Sequence, residues 1–338
     1  MTSGTGDPFG ERALAHLRAR LNVLGGAFTV ESGSAALLQL AVDAFGGLPR
    51  YRLAPTTRRF RARLIVTDHR SRWSRSEEPP PAVLSAGSGL LCATIDAGNF
   101  AIVDVATSSA LVGVSPGMLR RAYHARYELV ELALVTLVSR AQSLVPLHGA
   151  CVGSGGRGVL LMGPSGSGKS TLSLHALAAG MQLLSEDSAF VAVDGLLVTG
   201  VPNYVHVQSS ALEFLAPGPL LRQIRQSPVI RRRSGARKYE VDLRAIRGGQ
   251  IASAPLPLAA TVFLTRGKSR RPTDPRLLEP KALLARLRRE QPYAAGLLNW
   301  PEFERRIVAV PAYELCRTEH PDIAVRQLQA LLARADSR

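Results

Sequence analysis

The chain has 338 residues, of which 46% are hydrophobic and 20% charged, a composition that excludes a largely disordered, collagenous or coiled-coil protein and leaves room for two domains. Its 42 lysines and arginines outnumber 26 aspartates and glutamates, for a net charge of +16; such a field attracts phosphates, anionic lipid or nucleic acid without choosing among them. Cys92, Cys151 and Cys316 are far apart, with no CxxC pair and no nearby His at ligand spacing, so neither a disulfide framework nor a zinc site is expected, and a reducing cytoplasm is the expected location.

Residues 1–12 read as a flexible tail without a basic n-region or an apolar h-region, and the longest apolar stretch, Leu129 to Leu147, is broken by Glu131 and Arg140. No export signal and no membrane span are expected. The segment AHLRARLNVL predicts a helix and AFTVE a strand, and SGSAALLQLAVDAFGGL predicts a second helix, capped by Ser32 or Ser34 and stopped at Gly46-Gly47. Basic and apolar residues alternate through RFRARLIVT, which predicts a half-buried strand; SRSEEPPP reads as a loop, and LLCATIDAGNFAIVDV as a hairpin turning at Asp96 to Asn99. These elements compose a small α/β domain over 13–115. Leu119, Tyr123, Tyr127, Val130, Leu134 and Leu137 keep helical spacing, which predicts a connecting helix over 116–144 before a second domain over 145–338.

Within that domain, Gly163-Pro-Ser165-Gly166-Ser167-Gly168-Lys169-Ser170 fits G-x-x-x-x-G-K-[ST] after the apolar run GVLLM and before TLSLHALAAG, which begins at Thr171. A strand, such a loop and a helix make a P-loop: glycines let backbone N–H groups turn toward an anion, Lys169 reaches the β and γ phosphates, and Ser170 ligates Mg²⁺. ATP and Mg²⁺ are the expected cofactors. One of only four lysines (Lys169, Lys238, Lys268, Lys281) falls in this loop. Downstream, MQLLSEDSAFVAVD predicts a strand carrying Glu186 and Asp187, an acid pair able to hold the metal and to take a proton from an attacking hydroxyl. A transporter-type ATPase fits less well: an LSGGQ-like signature is missing, and the later strand ATVFLTRG ends in Thr265-Arg266 rather than in acids.

The stretch PLHGACVGSGGRGVLLMGPSGSGKSTLSLHALAAGMQLLSEDSAFV resembles the catalytic domain of the HPr kinase/phosphorylase family and its HPr-kinase-like relatives, which share a P-loop core with phosphoenolpyruvate carboxykinase. The similarity runs from about 145 to about 265 and is carried by His148-Gly149, the hairpin, the P-loop and the acid pair. It implies an α/β fold with that kinase core behind the N-terminal α/β domain. It also implies Lys169 and Ser170 on phosphate and metal, Asp187 as a metal ligand, Glu186 as the base and His148 near the γ-phosphate. Glu186 departs from the pattern of HPr kinase itself, which has Asp there, and the extra methylene moves the carboxylate by about a bond length.

Between Arg222 and Arg247 nine cations face only Glu240 and Asp242. Lys238 is the candidate there for clamping charge on a transferred phosphoryl group. Nucleic acid is disfavoured as a partner, because no aromatic residues alternate with the arginines. The expected function is an ATP- and Mg²⁺-dependent kinase acting on a hydroxyl, Ser or Thr of a peptide or protein. A small-molecule hydroxyl kinase and a nucleotide switch with slow hydrolysis are the alternatives, and a homo-oligomer stays open.

Overall fold

The computed structural model describes residues 17–53, 58–70, 73, 77–246, 251–268, 274–317 and 320–336. The expected tail over 1–12 and the cation Arg247 lie outside the described residues. The fold is mixed α/β and divides into two compact units, one formed by 1–46 and 58–138, the other by 47–57 and 139–338. Among the described residues no helix is long and apolar enough to cross a membrane.

The first unit runs β1 (Leu17–Val23), β2 (Gly26–Ser32), α1 (Ala35–Phe45), β3 (Arg59–Val66), β4 (Val83–Gly87), β5 (Leu90–Asp96), β6 (Asn99–Asp104) and β7 (Ser109–Val114). Its seven strands lie in the order β1-β2-β3-β7-β6-β5-β4. Helix α1 starts where Ser34 accepts the Leu37 N–H and ends at Gly46, as its sequence predicts. The expected helix over AHLRARLNVL is instead strand β1 from Leu17 onward. Leu24 and Gly25 both take positive φ, +45° and +78°, which makes the tight hairpin turn that returns the chain as β2. The resulting alternation buries Leu21 and Val23 beside Phe28 and Val30 and outweighs the helical spacing of the leucines. Phe28 stacks on Phe60 at 4.9 Å.

The expected single helix over 116–144 is a succession: α2 (Pro116–Leu119), α3 (Ala122–His124), a π-helical turn over Ala125–Glu131, and α4 (Leu132–Ala141). Arg121 interrupts it in a non-helical conformation. Leu129, Val130, Leu134 and Leu137 are nonetheless fully buried, so the apolar periodicity found the packed face and missed the breaks.

The second unit contains β8 (Val145–His148), β9 (Ala150–Ser154), β10 (Arg157–Met162), α5 (Lys169–Ala178), β11 (Gln182–Ser185), β12 (Ser188–Ala192), β13 (Leu197–Gly200), β14 (Tyr204–Val207), α6 (Pro219–Gln226), β15 (Val229–Arg231) and β16 (Arg237–Asp242). It continues through β17 (Leu256–Lys268), β18 (Arg276–Leu277), α7 (Pro280–Glu290), α8 (Pro292–Ala295), α9 (Trp300–Ile307), β19 (Ala312–Arg317) and α10 (Pro321–Asp336). Strands β10, β17 and β19 are parallel neighbours in a nine-stranded sheet, and β14, β16 and β15 form a separate three-stranded one. Successive β10 residues point to opposite faces: Val159 and Leu161 join a core with Leu172 of α5 and Leu328 of α10, whereas Leu160 and Met162 join Leu287 of α7 and Phe303 of α9. Burial on both faces explains why GVLLM is apolar without alternation.

Residues 47–53, which the sequence places in the N-terminal domain, belong to this second unit. The Tyr51 hydroxyl hydrogen-bonds the Thr199 hydroxyl, and burial pushes its pKa up to about 12.

Candidate active site

Strand β10 ends at Met162, and the chain turns through 163–168 into α5 at the carboxyl end of the parallel strands, where open α/β sheets gather ligands. Gly163, Gly166 and Gly168 hold φ at +139°, +80° and +100°, a backbone region that penalises any residue with a Cβ. Gly168 is the N-cap of α5 and supplies no side-chain cap, so the first-turn amides have no capping side chain. Ser167 is 2% exposed, and its Oγ has no hydrogen-bond partner among the described residues. Lys169 donates from Nζ to the carbonyl oxygen of Gly163 at 2.7 Å and to that of Pro164 at 3.4 Å. Burial lowers the Lys169 pKa, against the opposing pull of Asp187, Glu186 and Glu290.

The acid pair sits at the break between β11 and β12 rather than inside one strand. The break has a topological cause: β11 pairs with β9, whereas β12 pairs with β8 and β13, so the chain changes partners at Glu186 and Asp187. The Gly149 N–H donates to the Asp187 carbonyl at 2.9 Å and fixes the crossing. His148, opposite Ser188 in the register, brings Nδ1 to 3.4 Å from an Asp187 carboxylate oxygen. Gln291 clamps the His148 backbone from both sides, accepting from its N–H at 2.7 Å and donating to its carbonyl at 3.0 Å.

Glu186 is almost wholly buried. Burial favours its protonated form, but the His206 imidazole, a hydrogen bond from Ser170 and the Lys238 charge together hold its pKa below the ordinary carboxylate range. His206 lies on β14 opposite Glu240 of β16. Its Nδ1 is 3.6 Å from Glu186 Oε2 and its Nε2 is 3.3 Å from Glu240 Oε1. Burial lowers the His206 pKa and the two carboxylates raise it; the carboxylates prevail. Arg232 links both halves, with one guanidinium nitrogen 3.3 Å from His206 Nδ1 and another 3.7 Å from Asp187 Oδ2.

A cleft of about 370 Å³ is lined by His148, Ser165, Gly166, Gly168, Lys169, Ser170, Thr171, Glu186, Asp187 and Lys238. Of the residues singled out from sequence, Gly163 and Ser167 do not line it. Ser167 borders a smaller, mainly apolar pocket of about 50 Å³ beside Phe214, Leu315 and Pro321. The basic run contributes Arg232 and Lys238 to the cleft, whereas Arg244 pairs with Asp242 at 2.8 Å. Sequence reasoning missed His206 and Gln291: each stands in no motif and reaches the site through strand pairing or a helix end far along the chain.

Among the described residues no group of three or more His, Cys, Asp and Glu is placed to hold a metal ion. Ser170 and Asp187 offer oxygen donors, which suit a hard cation that completes its shell with phosphate oxygens and water.

No protein-family model matches the chain, and no curated protein matches it. Among solved structures the HPr(Ser) kinase/phosphatase from Coxiella burnetii is similar, at 12% identity and a TM-score of 0.30, over 57% of this chain and 93% of that one.

Proposed function

We propose that this chain is an ATP- and Mg²⁺-dependent kinase that transfers the γ-phosphate to a hydroxyl, Ser or Thr of a peptide or protein. The observation that carries the reading is that one cleft gathers the glycine-rich loop, Lys169, Ser170 and the Glu186–Asp187 pair. The uncapped amides of α5 fit an anion held at a P-loop.

In this reading the loop amides and Lys169 hold the β and γ phosphates, and Ser170 and Asp187 hold Mg²⁺, which neutralises phosphate charge. The acceptor oxygen attacks the γ-phosphorus, the bond to the bridging β,γ-oxygen breaks, ADP leaves, and the hydroxyl proton passes to Glu186. A carboxylate with a depressed pKa is a weak base, yet phosphoryl transfer through a loose transition state needs the nucleophile oriented more than it needs early deprotonation. His206, between Glu186 and Glu240, fixes the angle of that carboxylate. Lys238, Arg232 and His148 place positive or hydrogen-bonding groups around the transferred phosphoryl group.

Titration with ATP in the presence of Mg²⁺ tests the phosphate site. Wild-type protein is expected to bind, and Lys169→Ala to bind about 10- to 100-fold more weakly, the value of a charge-assisted contact. Equal affinities for the two proteins would remove Lys169 and its loop from phosphate binding.

A further inference from the structure

The outer face of the first unit's sheet takes no part in the chemistry of the cleft. Side chains alternate along β3, so Phe60, Ala62 and Leu64 point into the core while Arg59, Arg61 and Arg63 stand exposed on the other side. Strand register extends this row: Arg61 lies beside Thr29 and Arg63 beside Glu31, and these in turn lie opposite Arg20 and Arg18 of β1. Glu31 is taken by Arg18 at 2.8 Å. Arg20, Arg59, Arg61 and Arg63 form no ion pair with a described residue. Sheet faces ordinarily set opposite charges across neighbouring strands, and like charges there are destabilising. On the other side of β3 the face becomes aliphatic, with half-buried Leu111 beside Arg63 and Ile102 beyond it.

We propose that this face docks an acidic segment of a protein or peptide partner, with carboxylates on Arg59, Arg61 and Arg63 and an aliphatic side chain on Leu111 and Ile102. Alternate residues of a strand are about 6.6 Å apart, a spacing that acids at alternate positions of an extended segment reproduce. Each guanidinium can take a carboxylate through two parallel N–H donors. Charge complementarity is the argument for the occupant, and the aliphatic flank favours a peptide with apolar side chains over a single-stranded nucleic acid, which is commonly held by base stacking on exposed aromatic rings. Among the described residues of these strands, the aromatic ring on this face, Phe100, is committed to the sheet: a Cβ on Gly113 would lie 2.5 Å from it. The inference is independent of the chemistry in the cleft.

Fluorescence anisotropy of the full chain with a labelled peptide of Asp-Leu-Glu-Ser repeats tests it. Binding is expected at about 0.1 M salt and to weaken strongly by about 0.5 M. The triple variant Arg59→Ser, Arg61→Ser, Arg63→Ser is expected to lose about tenfold or more, the sum of three exposed ion pairs, while Lys169→Ala binds as wild type does. On unmutated protein the peptide is expected to protect these arginines from phenylglyoxal, which keeps the test decisive should the triple variant misfold. Equal binding by the triple variant, equal binding of a control peptide with Asn and Gln in place of the acids, or no binding at all would overturn the proposal. Tighter, arginine-dependent binding of oligothymidylate would overturn it in favour of a nucleic-acid surface.

Discussion

Glu186→Gln is expected to leave MgATP affinity within about threefold of wild type while lowering phosphoryl transfer about 10²- to 10⁴-fold, the span of a positioned general base. The amide has nearly the shape of the carboxylate and can keep a hydrogen bond with the Ser170 hydroxyl or His206, so the cleft is not expected to collapse. It cannot accept the acceptor's proton. Two further signs separate this role from a structural one. Binding and transfer part company, and Glu186→Asp, which restores the acid with one methylene fewer, is expected to recover part of the rate. A fully active Glu186→Gln variant would strip Glu186 of the role of base and leave Asp187 as the remaining carboxylate beside His148.

Gly163→Ala is expected to lower both the melting midpoint and the MgATP affinity. At φ +139° the backbone occupies a region nearly closed to residues with a Cβ, at a cost of about 1–3 kcal/mol. The added methyl would meet the Leu264 carbonyl oxygen at 2.5 Å, and that oxygen belongs to the neighbouring parallel strand, which cannot give way cheaply. A loss of about 2–4 kcal/mol corresponds to a drop of roughly 5–15 °C for a unit of this size. Gly166→Ala is the comparison, since its added Cβ meets nothing within 4 Å and φ is +80°. It carries only left-handed strain, about 1–2 kcal/mol. Thermal melts that place the two variants together, or Gly163→Ala beside wild type, would contradict the loop geometry.

Local patterns were legible where one short segment carries both the signal and the structure. The strand, glycine loop and helix around Lys169 are contiguous, and Ser34 announces α1 because a cap acts within one turn. The hairpin at Asp96 to Asn99 was legible for the same reason: Asp96 accepts from the Gly98 N–H and from the Asn99 amide. Strand β1 was misread because a leucine pattern compatible with either period is settled by a partner strand, and the Leu24–Gly25 turn that supplies it lacks the usual Asn-Gly signal. The breaks in the helix after Pro116 left the apolar spacing intact and so left no mark in it. In the site, Glu186 and Asp187 were visible as a pair, but their place at a change of strand partners was not. His206 and Gln291 had no local signature, because β14–β16 pairing and the end of α7 bring them in from distant sequence. The alternation in RFRARLIVT gave the strand and its buried face, and only the register with β1 and β2 showed that its arginines go largely unanswered.

The measurement closest to the central claim is transfer itself. Purified protein is incubated with Mg²⁺ and γ-labelled ATP in an extract of its host cell, and the labelled species are resolved by mass. A discrete peptide or protein labelled on Ser or Thr is expected, absent when Glu186→Gln replaces the wild-type chain. Label recovered only as free phosphate, or left on ATP, would contradict a kinase and point to a nucleotide switch; label on a metabolite would keep the chemistry and change the acceptor.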